Sequence, residues 1–313
     1  MEKDAKIFVA GHKGMVGSAI IRKLERSGYS NLLTASHEDL DLTCQLSVKN
    51  FIQEENPEYI FIAAAKVGGI HANNIFRAEF IYQNLMIEAN VLHAAWQSGI
   101  ERLMFLGSSC VYPRNCPQPI KEEYLLTGPL EETNEPYAIA KIAGLKLCES
   151  YNRQYGMQCV SVMPTNLYGP NDNYDPQNSH VLPALIRKVH EAKVAGKDTF
   201  AVWGSGKPMR EFLHVDDMAD ACVFLMERPD IRGGLFNIGA GEDLSIEELA
   251  RTVMDVVGYK GKIAFDTTKP DGTPRKLLDV ARMHDLGWSS TIPLHQGLER
   301  VYEDFLSLIK LND

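Results

Sequence analysis

No stretch of this chain approaches the roughly 20 consecutive apolar residues that a membrane-spanning helix needs. Its N-terminus, MEKDAKIFVAG, passes from charge straight into a strand-like run, without the apolar core of a signal peptide. Cytoplasmic residence without a membrane partner is the expectation. Positive charge is in deficit: 32 Lys and Arg against 41 Asp and Glu leave −9, which argues against nucleic acid held on a broad basic face. A local basic pocket for a small anion remains compatible with that balance. Metal-ligand spacing is also missing. The six cysteines (Cys44, Cys110, Cys116, Cys148, Cys159 and Cys222) are scattered, and Cys110 and Cys116 have no second Cys or His pair nearby. Reduced thiols and no metal are expected. Repeats and low-complexity tracts are lacking as well. What remains is an ordinary globular composition, 45% hydrophobic and 23% charged, over 313 residues. That is enough for one large domain or two closely joined ones.

The first half alternates strand-like and helix-like segments. KIFVAG, YIFIAAA, RLMFLGS and QCVSVMP are apolar runs without polar alternation. Helical periods fill 14–27, 74–99 and 137–155 between them. Such strands belong to a parallel sheet covered on both faces, so the expected fold is α/β, a doubly wound Rossmann sheet. After Pro164 the texture changes, and 166–180 reads as a long polar functional loop. Shorter elements follow. The expected division is a cofactor-binding domain of residues 1–165 with returning segments near 197–226. A smaller, mostly C-terminal α/β substrate domain takes 166–196 and 227–313.

GHKGMVG (11–17) places glycines directly after a strand and at the start of a helix. Gly11 suits the tight turn, Gly14 the approach of a pyrophosphate and Gly17 the packing of helix on strand. A dinucleotide is the expected ligand. Beyond the second strand the chain reads SHEDLDL (36–42). Lys13 and His37 suit the 2′-phosphate of NADP, whereas Glu38 and Asp39 suit the free ribose of NAD; NADP is favoured.

Tyr137 and Lys141 form Y-x-x-x-K in NEPYAIAKIAG, and a spacing of four puts both on one helical face. An ammonium beside a phenol favours phenolate, so the tyrosine pKa is expected to fall toward the working range of proton transfer. Ser108, at a strand end, would bond the same substrate oxygen. In GSSCVYP the residue type alone leaves Cys110 open between packing and chemistry.

The glycine loop with Ser108, Tyr137 and Lys141 resembles the extended short-chain dehydrogenase/reductases. AAAKVGGIHANN, FIYQN, GSSCVYP, CESYNRQYG, MPTNLYGPNDN, NSHVLPAL, WGSGKPMREFLHVDDMA and KPDGTPRKLLDV carry the likeness from residue 11 to about 280. It implies 3,5-epimerisation of GDP-4-keto-6-deoxy-D-mannose and NADPH-dependent reduction at C4, giving GDP-L-fucose. On that reading Cys110 is the epimerising base and His180 the acid, while Ser108, Tyr137 and Lys141 serve reduction. The implied NADP(H) contacts are Gly11, Lys13, Gly14, Met15, Val16 and Gly17 in the loop, with His37, Asp41 and Leu42 beyond the second strand. Ala64, Lys141, Pro164, Asn166, Leu167 and His180 complete them, and the Lys66–Gly69 turn and His71 would lie nearby. One departure stands out: His37 occupies the place of an expected arginine, which predicts a softer preference over NAD. Lys188, Trp203, Arg210 and Asp279 are implied for the nucleotide sugar, with Arg187 and Lys193 as solvated helix-face charges. A homodimer is implied, with 74–99 and 137–155 at its interface.

Three rival functions remain. A 4,6-dehydratase needs an Asp–Glu pair beside the serine, where this chain has Ser109, Cys110 and Val111. A 4-epimerase would recycle tightly held NAD. A non-catalytic dinucleotide sensor has no use for the Tyr137–Lys141 pair.

Overall fold

A computed structural model describes residues 1–175, 179–269 and 271–312, without the side chains of Ile70, His71, Leu311 and Asn312. The expected role of the His71 side chain therefore lies outside the described residues. Strands and helices alternate first as β1 (Ile7–Ala10), α1 (Met15–Arg26), β2 (Leu32–Leu33), α2 (Gln45–Glu55) and β3 (Tyr59–Ile62). They continue as α3 (Ile70–Ile75), α4 (Arg77–Gln97), β4 (Arg102–Leu106), α5 (Glu135–Tyr155) and β5 (Gln158–Pro164). Next come β6 (Asn166–Tyr168), α6 (Val181–Val194), β7 (Thr199–Trp203), β8 (Met209–Arg210), β9 (Phe212–His214) and α7 (Val215–Glu227). The chain closes with β10 (Gly234–Ile238), β11 (Leu244–Ser245), α8 (Ile246–Val257), β12 (Lys262–Asp266), β13 (Arg275–Lys276), α9 (Ala281–Asp285) and α10 (Leu294–Asn312).

Six parallel strands form the main sheet in the order β10-β5-β4-β3-β1-β2. Strand period two sends alternate residues to opposite faces, and both faces are apolar. Phe8, Ile60, Ile62, Leu103 and Phe105 pack on one side with Val91 and Ala95 of α4 and Leu145 of α5. Ile7, Val9, Phe61, Met104 and Val160 pack on the other with Ile20 of α1 and Met218 and Val223 of α7. The doubly wound α/β reading holds. Strand order reverses between β1 and β3, the kind of switch point beyond whose carboxyl ends such sheets take their ligands.

A second core joins Leu185 and Val189 of α6, Phe200 and Val202 of β7, Leu249 and Val253 of α8, and Leu298 and Val301 of α10. The helix α8 is fixed at its start by a capping box between Ser245 and Glu248. Three local expectations shift. Residues 74–99 form two helices, because Phe76 leaves the helical conformation (φ −95°, ψ 38°). There the Asn73 amide donates back to the carbonyls of Gly68 and Gly69, at 2.7 and 3.0 Å, and folds α3 over the preceding turn. The loop after Pro164 starts as a strand, β6, paired with β9. The lobe boundary also moves: β7 pairs with β12 in the second lobe, whereas β10 is an edge strand of the main sheet. Of the segment 197–226, α7 and Leu213 of β9 pack within the first lobe's core.

Candidate active site

Gly11 follows β1 with φ +84°, and a Cβ there would lie 2.7 Å from backbone atoms of Ala64. At Gly17 a Cβ would lie 2.1 Å from the Gly11 carbonyl oxygen, so turn and helix touch as only glycines permit. The N-cap of α1, Gly14, makes no side-chain capping bond. The first N–H groups of the helix are thus left for an anion. A cleft of about 1130 Å³ opens beside this turn, between the sheet's carboxyl edge and the second lobe. Gly11, Gly14, Met15, Val16, His37, Asp41, Leu42, Ala64, Pro164, Asn166 and Leu167 line it, as does the turn from Lys66 to Gly69. These residues fit a dinucleotide. Gly17 instead lies buried beneath the turn, and Lys13 is exposed. Asp39 closes its own turn on Ser36, with its carboxylate 2.5 Å from the Ser36 Oγ. Asp41 accepts from the Thr43 amide and hydroxyl, and those bonds hold its carboxyl below the usual range.

Ser108, Tyr137 and Lys141 meet in the same cleft. Ser108 caps the short turn Ser109–Val111, accepting from the Cys110 amide at 3.3 Å, and its hydroxyl faces the Tyr137 phenol. Phe80 meets the tyrosine ring edge-on at 6.3 Å. The Lys141 Nζ lies 5.9 Å from the Tyr137 ring centroid and 4.9 Å from that of Phe105. Its ammonium is not free to act on the phenol. It pairs at 2.9 Å with Glu88 of α4, and both side chains are only 2% exposed. The Tyr137 pKa stands well above its ordinary value, through burial first and then the proximity of Cys110 and Glu88, against the opposing influence of Ser108. The lowered tyrosine pKa expected from the Tyr–Lys spacing is therefore reversed, chiefly by burial, and the lysine's charge is paired with Glu88 instead.

Cys110 is 8% exposed at the end of β4, and His180 caps α6 across the cleft. Burial pushes the thiol pKa up, opposed by Lys276, Ser108 and Lys141. Desolvation and then Lys276 push the His180 pKa down. Both groups are neutral at rest, with one cation biasing both. Lys276 pairs with Arg210 in register on β13 and β8, so both side chains leave the same face of that small sheet, into the cleft. Sequence reasoning assigned no part to Lys276 or Glu88. The signals were present: KPDGTPRK is rich in cations, and Asn84 and Glu88 recur on the apolar face of α4.

Lys188, Trp203 and Arg210 line the far end of the cleft. The ammonium groups of Lys188 and Lys269 lie 4.7 and 5.4 Å from the centroid of the Trp203 ring, which is 55% exposed. Asp279 lies off the cleft wall, where its carboxylate accepts from the Ala281 amide at 2.9 Å and caps α9. Arg187 and Lys193 are bound rather than merely solvated, donating to the carbonyls of Tyr174 and Val257. Cys148, Cys159 and Cys222 are buried and Cys44 is exposed. Among the described residues no group of three or more His, Cys, Asp or Glu is placed to hold a metal ion.

A doubly wound sheet with a glycine turn at its switch point and a Ser–Tyr–Lys centre defines a nucleotide-dependent oxidoreductase or epimerase scaffold. The family model "NAD dependent epimerase/dehydratase family" matches residues 7–239, and the chain belongs to that family. It is 57% identical to GDP-L-fucose synthase 1 of Arabidopsis thaliana over 307 residues, 97% of this chain and 94% of that one. It is 55% identical to the GDP-L-fucose synthase of Escherichia coli K12 over 311 residues, 96% of each. A solved GDP-L-fucose synthetase of Naegleria fowleri, bound to NADP, superposes with a TM-score of 0.90 at 29% identity, covering 99% of this chain and 96% of that one.

Proposed function

We propose that the chain converts GDP-4-keto-6-deoxy-D-mannose into GDP-L-fucose with NADP(H). The observation that carries this reading is one cleft that holds Ser108, Tyr137 and Lys141 together with Cys110 and His180. A ketone at C4 acidifies the protons on C3 and C5. In the reactive form the thiol's proton is carried by His180; the Cys110 thiolate then removes the substrate proton, the electron pair passes into the carbonyl as an enolate, and the His180 imidazolium returns a proton to the opposite face. Lys276 favours the thiolate and makes the imidazolium a stronger acid. NADPH, held by the glycine turn and the residues after β2 and β3, supplies hydride to C4 when bound. Tyr137 gives its phenolic proton to the C4 oxygen, with Ser108 bonded to the same oxygen. Trp203 stacks on guanine, and Lys188 and Arg210 face the diphosphate.

Relatives of this name support the reading, and Ser109, Cys110 and Val111 beside Ser108, in place of an Asp–Glu pair, are at odds with a dehydratase. Residence in the cytoplasm and a homodimer built on α4 and α5 belong to the same proposal. No helix among the described residues is long and apolar enough to cross a membrane. The test is NADPH oxidation with the GDP-keto sugar, the product's configuration being read by NMR. Cys110→Ser should abolish solvent exchange at C3 and C5, while Tyr137→Phe should abolish reduction and keep that exchange. Full exchange in Cys110→Ser would remove Cys110 as the base.

A further inference from the structure

The proposed chemistry leaves a buried acidic residue beside the reductase lysine without a task. Glu88 lies on α4, 2% exposed, against the 2%-exposed Lys141. Burial pushes its pKa up, and among the described residues Lys141 is the one cation that opposes this and favours the carboxylate. The packing here is close: a Cβ on Gly144, one turn along α5 from Lys141, would lie within 3 Å of the Phe105 ring and 2.6 Å from the Glu88 Oε2. A glutamate is costly to bury, so its place beside the reductase lysine calls for a reason.

We propose that Glu88 is a positioning residue of the reductase centre, holding Lys141 as its ion-pair partner so that Tyr137 enters the reaction as a phenol. This rests on the reductase reading above. A reductase must give a proton to the substrate oxygen, and a phenolate has none to give. An unanswered ammonium near Tyr137 would favour phenolate, the form suited to the reverse, oxidative direction. Glu88 cancels that influence while fixing where the ammonium sits. The groups that face Tyr137 are Glu88 from α4, Cys110 and Ser108 from the turn after β4, and Lys141 from its own helix. Lys276 on β13 faces Cys110, and Cys148 on α5 lies by Glu88. Of these, Glu88 alone forms an ion pair with the lysine, at 2.9 Å.

The test compares wild type, Glu88→Gln and Glu88→Asp. In the cofactor-free protein, tyrosinate absorbance is titrated as the difference between each form and its Tyr137→Phe double variant. In the NADPH-loaded enzyme, the alkaline limb of the reduction rate is followed. Glu88→Gln should move both downward by about one pH unit or more, and Glu88→Asp, which keeps the charge, should stay near wild type. Solvent exchange at C3 and C5 should persist in every form. Unchanged Tyr137 titration in Glu88→Gln would overturn the inference, and the titration remains readable in a variant that has lost its activity. A wild type that fails to reduce the GDP-keto sugar would instead count against the functional reading.

Discussion

Replacing Asp172 by Asn should remove a pH dependence from the stability of the loop that leads to His180. Asp172 lies between β6 and α6. Its Oδ1 accepts from the Asn173 amide at 2.7 Å, while its Oδ2 is buried without a hydrogen-bond partner. Burial raises its pKa from 3.8 to about 7. An acid whose folded pKa is raised binds its proton better in the folded state. The stability it supplies is complete below the unfolded value and is lost as pH rises through the folded one. Integrating the linkage relation with those two values gives a loss of about 1.4 kcal/mol between pH 6 and pH 8. Asp172→Asn keeps the Oδ1 acceptor and carries no charge to desolvate. Urea unfolding of both proteins at pH 6 and pH 8 isolates this group, because the other titrations cancel in the difference of differences. The variant should gain about 1.4 kcal/mol on wild type over that interval. The next residue toward the cofactor turn, Asn171, donates to the Ser18 hydroxyl on α1 at 3.0 Å, so the loop's anchorage is tied to the cofactor side. An equal pH dependence in the two proteins would refute the reasoning.

Gly17→Ala places a methyl group 2.1 Å from the Gly11 carbonyl oxygen, a backbone atom that no rotamer change can clear. Overpacking of that kind costs about 1–3 kcal/mol. The displaced turn should weaken NADPH binding, read by fluorescence titration, and cut the NADPH-dependent rate roughly 10²-fold; wild-type affinity would contradict the placing of the pyrophosphate. Lys276→Met removes the cation that favours the Cys110 thiolate and disfavours the His180 imidazolium. Both pKa values should then rise, moving the pH profile of C3 and C5 solvent exchange upward and lowering exchange at pH 7 about tenfold. A profile unmoved from wild type would detach Lys276 from the epimerising pair.

Hydrophobic pattern was enough for the large sheet because β1, β3, β4 and β5 are buried on both faces and read as unbroken apolar runs. The lobe boundary was not legible by that means. A short apolar run such as FAVW in β7 or LFNI in β10 says that a strand exists and is silent on its neighbours. Pairing is decided by long-range contacts, here β7 with β12 and β10 with β5. The break at Phe76 was hidden for a related reason. No Gly or Pro marks it, and its setting depends on a side-chain bond from Asn73 to the glycine turn.

At the site, residues with a local geometric signature were legible, and residues defined by a partner far along the chain were not. Gly11, Gly14 and Gly17 announce a turn, and Tyr137 and Lys141 announce a helical face, all within spans of seven residues or fewer. Glu88 acquires its role from Lys141, 53 positions away, and Lys276 from Cys110 at the end of another strand. The consequence is chemical as well as positional. The Tyr–Lys spacing taken alone predicts a phenolate, and burial, with Cys110 and then Glu88 beside it, reverses the sign. The motif therefore fixes which atoms meet the substrate oxygen, while the direction in which the proton is poised to move is set by what surrounds the phenol.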